Sequence, residues 1–430
     1  MGVLDSLRNA LRIPELRRRL AITLGLLVAF RLGSHIALPG VSAEAVEALG
    51  RHMQEQWGGV WVTLRLFSAG AMEKVALFSM GIMPYITASI VMQLVTKLSP
   101  RLEAVARDGP SGQRTISRYT RWLTVPIAVV QSVIAVNALA PAQVLLSTGW
   151  ATRLEVVAGM TAGALLVMWL GEQVTEHGVG NGASLFILAG IVARLPAMAA
   201  TLVEKQRHGE VAGEAVAAVA ALFLAMIAAV VFVTQAQRRI QVRHAKHVRG
   251  RRVSTASRNY LPLRVNTAGV MPVVFATSLL VVPQALSHVP GLAWMRSFVT
   301  PGTFAHASMT AAMIFFFGYF WTYLFFPPRE MAGQLKEHGS FVPGLRPGET
   351  TARYLDSVLA RVTLCGAAFL ASVALAPALL GAGFGGPVER VLHDLLGGAA
   401  ILIAVGVALD VVQKIESHLL LHHYEGFARR

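Results

Sequence analysis

The sequence predicts an all-α polytopic membrane protein, with ten transmembrane helices in two inverted five-helix halves. Three observations carry this: an apolar composition, a one-sided distribution of basic residues, and a helix-breaking element that occurs twice. Of the 430 residues, 54% are hydrophobic and only 14% are charged, and the mean hydropathy is +0.56. Soluble domains of this length carry far more polar surface.

A membrane span needs about 20 mostly apolar residues. Uncharged runs of that kind cover 75–96, 122–140, 215–237, 265–287, 306–328 and 362–387. Weaker runs cover 20–38, which contains Arg31, and 156–171, 178–193 and 395–409. With the N-terminus in the cytoplasm, the segments on that side hold 28 Lys and Arg and the outer loops hold 9. Arg31 lies within the first span. Basic residues gather on the cytoplasmic side of spanning proteins, so this asymmetry sets the orientation with both termini cytoplasmic. It also accounts for most of the net charge of +15, which in a soluble protein would point to nucleic acid. The opening residues lack a cleavable-signal pattern and are expected as a cytoplasmic amphipathic helix, 1–19. The first half is then 20–202, the second 203–415, and the cytoplasmic tail 416–430.

The repeated element is GIMPYITASIVM at 81–92 and GVMPVVFATSLL at 269–280, 188 positions apart. Each has a Gly three residues before a Pro, and each lies in the second span of its half. Five spans per half make equivalent helices run in opposite directions, which is the arithmetic of an inverted repeat. Gly81, Pro84, Gly269 and Pro272 are expected to bend these spans, because Pro removes a backbone hydrogen bond and crowds the preceding turn. The freed carbonyls need partners within the protein or in a water-filled cavity, which places both spans at an interior. The fifth spans correspond as well, Ile187–Ile191 against Ile403–Val407.

Carriers of ions or protons place ionisable residues inside their spans. The strong spans here have none at mid-depth, which counts against a secondary transporter. The residues around both Gly-Pro elements are Ile, Val, Met and Phe. An interior of branched aliphatics is a constriction that excludes water and ions by dewetting. No HExxH or GxSxG occurs, so an embedded protease is not supported, and a non-channel insertase would have fewer spans and a polar groove. No GxxxxGK[ST] occurs either. GVGNG at 178–182 joins two apolar helices and does not follow a strand. No enzyme activity, cofactor or metal is expected, and the energy source must be a partner or a gradient. His244, His247, His422 and His423 lack further ligands at suitable spacing. The single cysteine, Cys365, is expected as a buried packing thiol.

The chain resembles the SecY family, the central subunits of bacterial protein-conducting channels. The resemblance runs over nearly the whole length. It rests on IPELRRR (13–19), LFSAGAMEKVALFSMGIMPYITASI (66–90), GVGNGASLFILAGIVA (178–193), QRRIQVRHAKHVRGRR (237–252), LPLRVNTAGVMP (261–272), FVPGLRPGETTARYLD (341–356) and GVALDVVQKIES (406–417). It implies an hourglass pore between the halves, whose waist is a ring of Ile82, Ile86, Ile187, Ile191, Val274 and Ile403. It implies a plug at about 58–71, containing Trp61, Leu64, Leu66 and Phe67. It implies a lateral gate between spans two and three and spans seven and eight, where Gly81, Pro84, Gly269 and Pro272 would serve as bending points. The long basic cytoplasmic loops 238–264 and 329–358 would receive the ribosome through ribosomal RNA, or the SecA ATPase, with Arg251, Arg252 and Arg346 as contacts. Small SecE- and SecG-like membrane subunits, signal peptides, nascent chains and lipids are the other implied partners, and the bacterial cytoplasmic membrane the implied location.

Overall fold

The computed structural model describes residues 13–42, 45, 68, 70–139, 144–147, 149–209, 211–244, 248–249, 252–253, 258–267, 269–286, 298, 303–384 and 398–428. Its helices are α1 (Pro14–Gly33), α2 (Met83–Leu98), α3 (Pro100–Arg107), α4 (Gly109–Leu139), α5 (Trp150–His177), α6 (Gly182–Arg207), α7 (Gly213–Gln235), α8 (Met271–Leu286), α9 (Phe304–Phe325), α10 (Pro328–Glu337), α11 (Glu349–Phe384) and α12 (Gly398–Ala428). Ten of these, all but α3 and α10, have sixteen residues or more among the described residues, one for each expected span. Two compact units result: Met1–Glu204 with Val407–Arg430, and Lys205–Gly406.

Several boundaries differ from the sequence expectation. Residues 14–19 are the first turns of α1, continuous with the first span; residues 1–12 lie outside the described residues. The stretch 97–121, between the uncharged runs 75–96 and 122–140, is largely helix, since α3 and the start of α4 occupy it. The stretch 349–361 is the start of α11, a single helix of 36 residues. At about 1.5 Å per residue it is roughly 54 Å long, well beyond a hydrocarbon layer of about 30 Å. The apolar run marks only the membrane part of such a helix. Cys365 is exposed on α11, not buried as expected; on a spanning helix an exposed thiol meets lipid or another subunit. Large apolar side chains face outward elsewhere too: Leu24, Val130, Leu224, Phe232 and Phe316 are all more than half exposed. In water this would be a liability; in lipid it carries no hydration penalty.

The Gly-Pro elements prove to be helix starts rather than bends within a span. Pro84 is the second residue of α2 and Pro272 the second of α8. First-turn N–H groups have no intrahelical acceptor, so a proline there loses nothing. Gly81 and Gly269 lie three residues earlier with φ of 52° and 63°, a left-handed conformation that glycine adopts freely. The first-turn bonds match as well: Ile86 N–H donates to Ile82 O at 3.1 Å, and Val274 N–H to Val270 O at 3.2 Å. Upstream, Leu77 N–H donates to Ile36 O beyond α1 at 2.7 Å, and Val265 N–H to Ala236 O beyond α7 at 2.9 Å. Leu77 and Val265 are again 188 residues apart. Finally, a Cβ at Gly163 of α5 would overlap the Leu77 carbonyl, and one at Gly366 of α11 would overlap the Val265 carbonyl. The fourth long helix of each half thus presses a glycine against the same carbonyl position. The repeat is written in backbone hydrogen bonds and close contacts, and the similarity of side chains is its weaker trace.

The helical class acquires one addition, a small antiparallel sheet in the order β4-β1-β5. Its strands are β1 (Gln237–His244), β4 (Arg258–Arg264) and β5 (Ser340–Phe341), with β2 (Val248–Arg249) and β3 (Arg252–Val253) pairing farther out along the hairpin. Inward-facing Ile240 and Leu263 join Ala332 of α10, Val342, and Ala352, Leu355 and Val358 of α11 in one apolar cluster. The two long segments between spans of the second unit, 238–264 and 329–358, therefore share a core. Leu263→Ala or Leu355→Ala, at sites 2% and 1% exposed, is expected to cost about 2–4 kcal/mol of local stability. Amide hydrogen exchange should then speed up in β1, β4 and β5 together. Loss of protection in one segment alone would contradict a shared core.

Candidate functional site

In the first unit, Ile82 caps α2 and Ile86 lies one turn on. Ile82 is fully buried; its Cδ1 and the Phe186 ring both come within 3.6 Å of where a Cβ on Gly171 would stand. Phe186 also stacks on Phe30 of α1, ring centres 4.6 Å apart. Ile187 and Ile191 follow Phe186 on α6, are four apart and so share a face, and are 4% and 9% exposed. Ile86 is half-buried. The four aliphatic residues thus sit at α2 and α6, and Gly171 of α5 lies against Ile82 and Phe186.

The α5–α6 connection is built for that close approach. Gly182 N–H donates to Thr175 Oγ1 at 2.9 Å, and Thr175 Oγ1 donates to Gly171 O at 2.9 Å. Val179 N–H donates to Thr23 Oγ1 of α1 at 3.0 Å. These bonds give GVGNG a structural role in joining α1, α5 and α6. In the second unit, Val274 and Ile403 are 5% and 1% exposed. A Cβ on Gly406 would lie 2.8 Å from Val270 Cγ1, so α8 and α12 touch one turn from both residues. Val270 is the repeat equivalent of Ile82, 188 residues on.

The segment before α2 is buried without being regular helix. A 3-10 turn, Ala71–Lys74, is flanked by Gly70 at φ 80° and by Val75 at φ 44°, ψ 46°. A β-branched residue in the left-handed region is a strained outlier, costing about 1–3 kcal/mol. Complete burial and a bond from Leu38 N–H to Val75 O at 3.2 Å hold it there. Glu73 of this turn pairs with Arg194 of α6 at 4.0 Å. The apolar run 178–193 ends just before Arg194; α6 continues to Arg207, so Arg194 lies in mid-helix. The plug residues Trp61, Leu64, Leu66 and Phe67 lie outside the described residues.

In the segment expected to be cytoplasmic, the pairing of Arg239 with Pro262, Gln241 with Tyr260 and Arg243 with Arg258 puts these positions on one face of the β1–β4 ribbon. Arg239, Arg243, Tyr260 and Arg264 are exposed. The apolar alternation Ile240, Val242 and Leu261, Leu263 is a period-two signal that would have identified these strands. Arg251 lies outside the described residues; Arg252 pairs with Arg249 in the outer ribbon. Arg346 is exposed at the turn that opens α11, where its carbonyl accepts from Thr351 Oγ1 at 2.9 Å. A hydrogen bond from Arg353 at 2.9 Å, aided by its charge, holds the Glu349 carboxyl below its ordinary range. A depressed carboxylate stabilises above its unfolded pKa. This helix start therefore loses that support as pH falls through the folded value.

A model of the SecY family matches residues 76–412. The protein translocase subunit SecY of Pseudomonas aeruginosa is 40% identical over 436 residues, covering 100% of this chain and 96% of that one. The chain belongs to the SecY family. It is accordingly a protein-conducting channel subunit, a multi-pass membrane protein and not an enzyme. A solved protein-conducting channel superposes with a TM-score of 0.63 at 17% identity, covering 95% of this SecY-family chain and 96% of that one. Sec61 in a canine ribosome-channel complex gives 0.61 at 17% identity, with the same coverage. At that identity the likeness of the solved structures is one of fold.

Proposed function

We propose that this chain passes unfolded polypeptides outward through a waist lined by Ile82, Ile86, Ile187, Ile191, Val274 and Ile403, and releases apolar segments sideways into lipid. Both termini are cytoplasmic in this reading. The observation that carries it is the duplicated helix start, which sets aliphatic side chains at equivalent positions of both units with no ionisable group among them. Such a waist grips nothing chemically, so it suits chains of any sequence and resists ions when empty. The test is a stalled secretory chain presented to channels with cysteine at Ile86 or Ile191, after Cys365 is replaced. Crosslinks are expected at both sites and not at outward-facing Phe232. Equal labelling at all three, or labelling at Phe232 alone, overturns the reading.

Arg251, Arg252 and the basic ribbon meet the ribosome in this proposal, and Arg346 meets the SecA motor. Support comes from the charge of the ribbon and from the ribosome-bound state of one relative by fold. SecE- and SecG-like subunits cover part of the outward apolar surface. Arg251→Glu with Arg252→Glu should weaken ribosome binding steeply. Each lost phosphate contact should also flatten the slope of log affinity against log salt by roughly 0.7–0.9. Arg346→Glu should mainly impair motor-driven export. An unchanged ribosome affinity and salt slope would leave these charges to topology and lipid contact.

A further inference from the structure

Buried polar side chains in a membrane interior need partners, because neither lipid nor a dry core supplies one. Among the described residues, Trp321 Nε1 of α9 and Thr363 Oγ1 of α11 are buried and have none. Trp321 is fully buried and Thr363 is 4% exposed. Both lie in the second unit, and the packing of α9 on α11 puts them at one level. Tyr319 Oη donates to Ala360 O at 3.0 Å, and Tyr323 Oη to Asp356 Oδ1 at 2.9 Å. Residue numbers rise along α9 as they fall along α11, so the two helices run antiparallel. Gly318 marks a close approach, where an added Cβ would lie 3.3 Å from Ala367 Cβ. One turn on along each helix from that contact stand Thr322 and Thr363, and Trp321 adjoins Thr322.

The chemistry of these groups selects the ligand. An indole N–H only donates, whereas a threonine hydroxyl donates and accepts. Thr322 Oγ1 already gives its proton to Gly318 O at 2.7 Å, so its lone pairs are what remain. The set therefore offers one obligatory donor, one obligatory acceptor and one group of either kind. Two hydroxyl oxygens are too few for a cation, and the aromatic walls hold no anion. Phe275 meets the indole edge-on with ring centres 4.8 Å apart, and Phe325 stacks on it at 5.3 Å. A single water fits, since it accepts and donates at once and takes about three bonds when buried.

We propose that a buried water joins Trp321, Thr322 and Thr363 as a fixed part of the seam between α9 and α11. It accepts from Trp321 Nε1, donates to Thr322 Oγ1, and shares a bond with Thr363 Oγ1. The water thereby fixes the ring against which Phe275 of α8 packs, next to Val274 of the proposed waist.

The test begins with Thr363→Val in the full chain, purified with its partner subunits. Valine copies the shape of threonine and has a similar helix propensity, so the hydroxyl alone is removed. An unpartnered buried hydroxyl destabilises, and its removal would raise the melting temperature. A hydroxyl bonded to the water leaves that water short of a partner when it goes, so melting should fall by about 2–4 °C. Melting at or above the wild-type temperature overturns the site. In a Trp321→Phe background the same change should cost clearly less, because the water has already lost its donor. An undiminished cost there overturns the bridge. Should Trp321→Phe fail to assemble, a second measurement decides. A map of the wild-type complex that resolves ordered waters should show one within about 2.7–3.2 Å of Nε1 and of both hydroxyls. A dry seam in that map, or a direct bond from Trp321 Nε1 to Thr363 Oγ1, overturns the proposal.

Discussion

Ile86→Gly together with Ile191→Gly raises the resting ion conductance of reconstituted channels by about tenfold or more. The reasoning starts from the cost of wetting. Each isoleucine side chain withdraws apolar surface worth about 1.5–3 kcal/mol from water. A narrow passage lined by such side chains stays dry because water inside it forgoes hydrogen bonds. Removing two of the six proposed side chains widens the waist and exposes backbone polar groups to it. Ile86 is half-buried and Ile191 is 9% exposed, so some packing is also lost, and glycine costs each helix about 1 kcal/mol. Melting in detergent and the yield of assembled protein must therefore be measured beside conductance. A folded double variant whose conductance equals wild type would remove these residues from the waist.

Composition was enough for ten long helices, because a lipid solvent imposes long apolar runs. Gly81 and Pro84, with Gly269 and Pro272, were visible as a pair. Their role was misread, because a Gly-Pro element looks the same whether it bends a helix or begins one. Only the left-handed φ values and the first-turn bonds decide. Gly163 and Gly366 passed unnoticed, being single glycines in apolar helices whose meaning lies in a carbonyl far along the chain. The apolar run 178–193 stops at Arg194 because a charge ends such a run in the sequence, whereas in the fold α6 continues past it and Glu73 meets it. The β1–β4 ribbon was hidden by its own charge: the nine basic residues of 238–264 drew attention from the alternating Ile240, Val242, Leu261 and Leu263. Cys365 shows the reverse error, since in a membrane protein an apolar environment does not mean the interior.

Gly182→Val is expected to cost about 3 kcal/mol or more and to lower both the melting temperature and transport. Gly182 is the first residue of α6 and is buried. A Cβ there would overlap the carbonyl oxygen of Gly171 and lie 2.9 Å from its Cα. Both obstacles are backbone, so no side-chain rotation can relieve the clash. The helices must separate, and overpacking of that kind costs about 1–3 kcal/mol, occasionally more. Separation would also break the bond from Gly182 N–H to Thr175 Oγ1. It would shift Ile187 and Ile191 with the rest of α6, so damage at the connection reaches the proposed waist. Gly25→Ala is the matched control. Gly25 lies inside α1 with nothing within 4 Å of its Cβ position, and alanine there should be neutral or stabilising by up to about 1 kcal/mol. Thermal unfolding and transport measured on both variants separate a close backbone contact from a generic intolerance of substituted glycines. If Gly182→Val melts and transports like wild type, α5 and α6 do not meet backbone to backbone. The small-residue seam, which in membranes replaces the hydrophobic effect as the force between helices, then lies elsewhere.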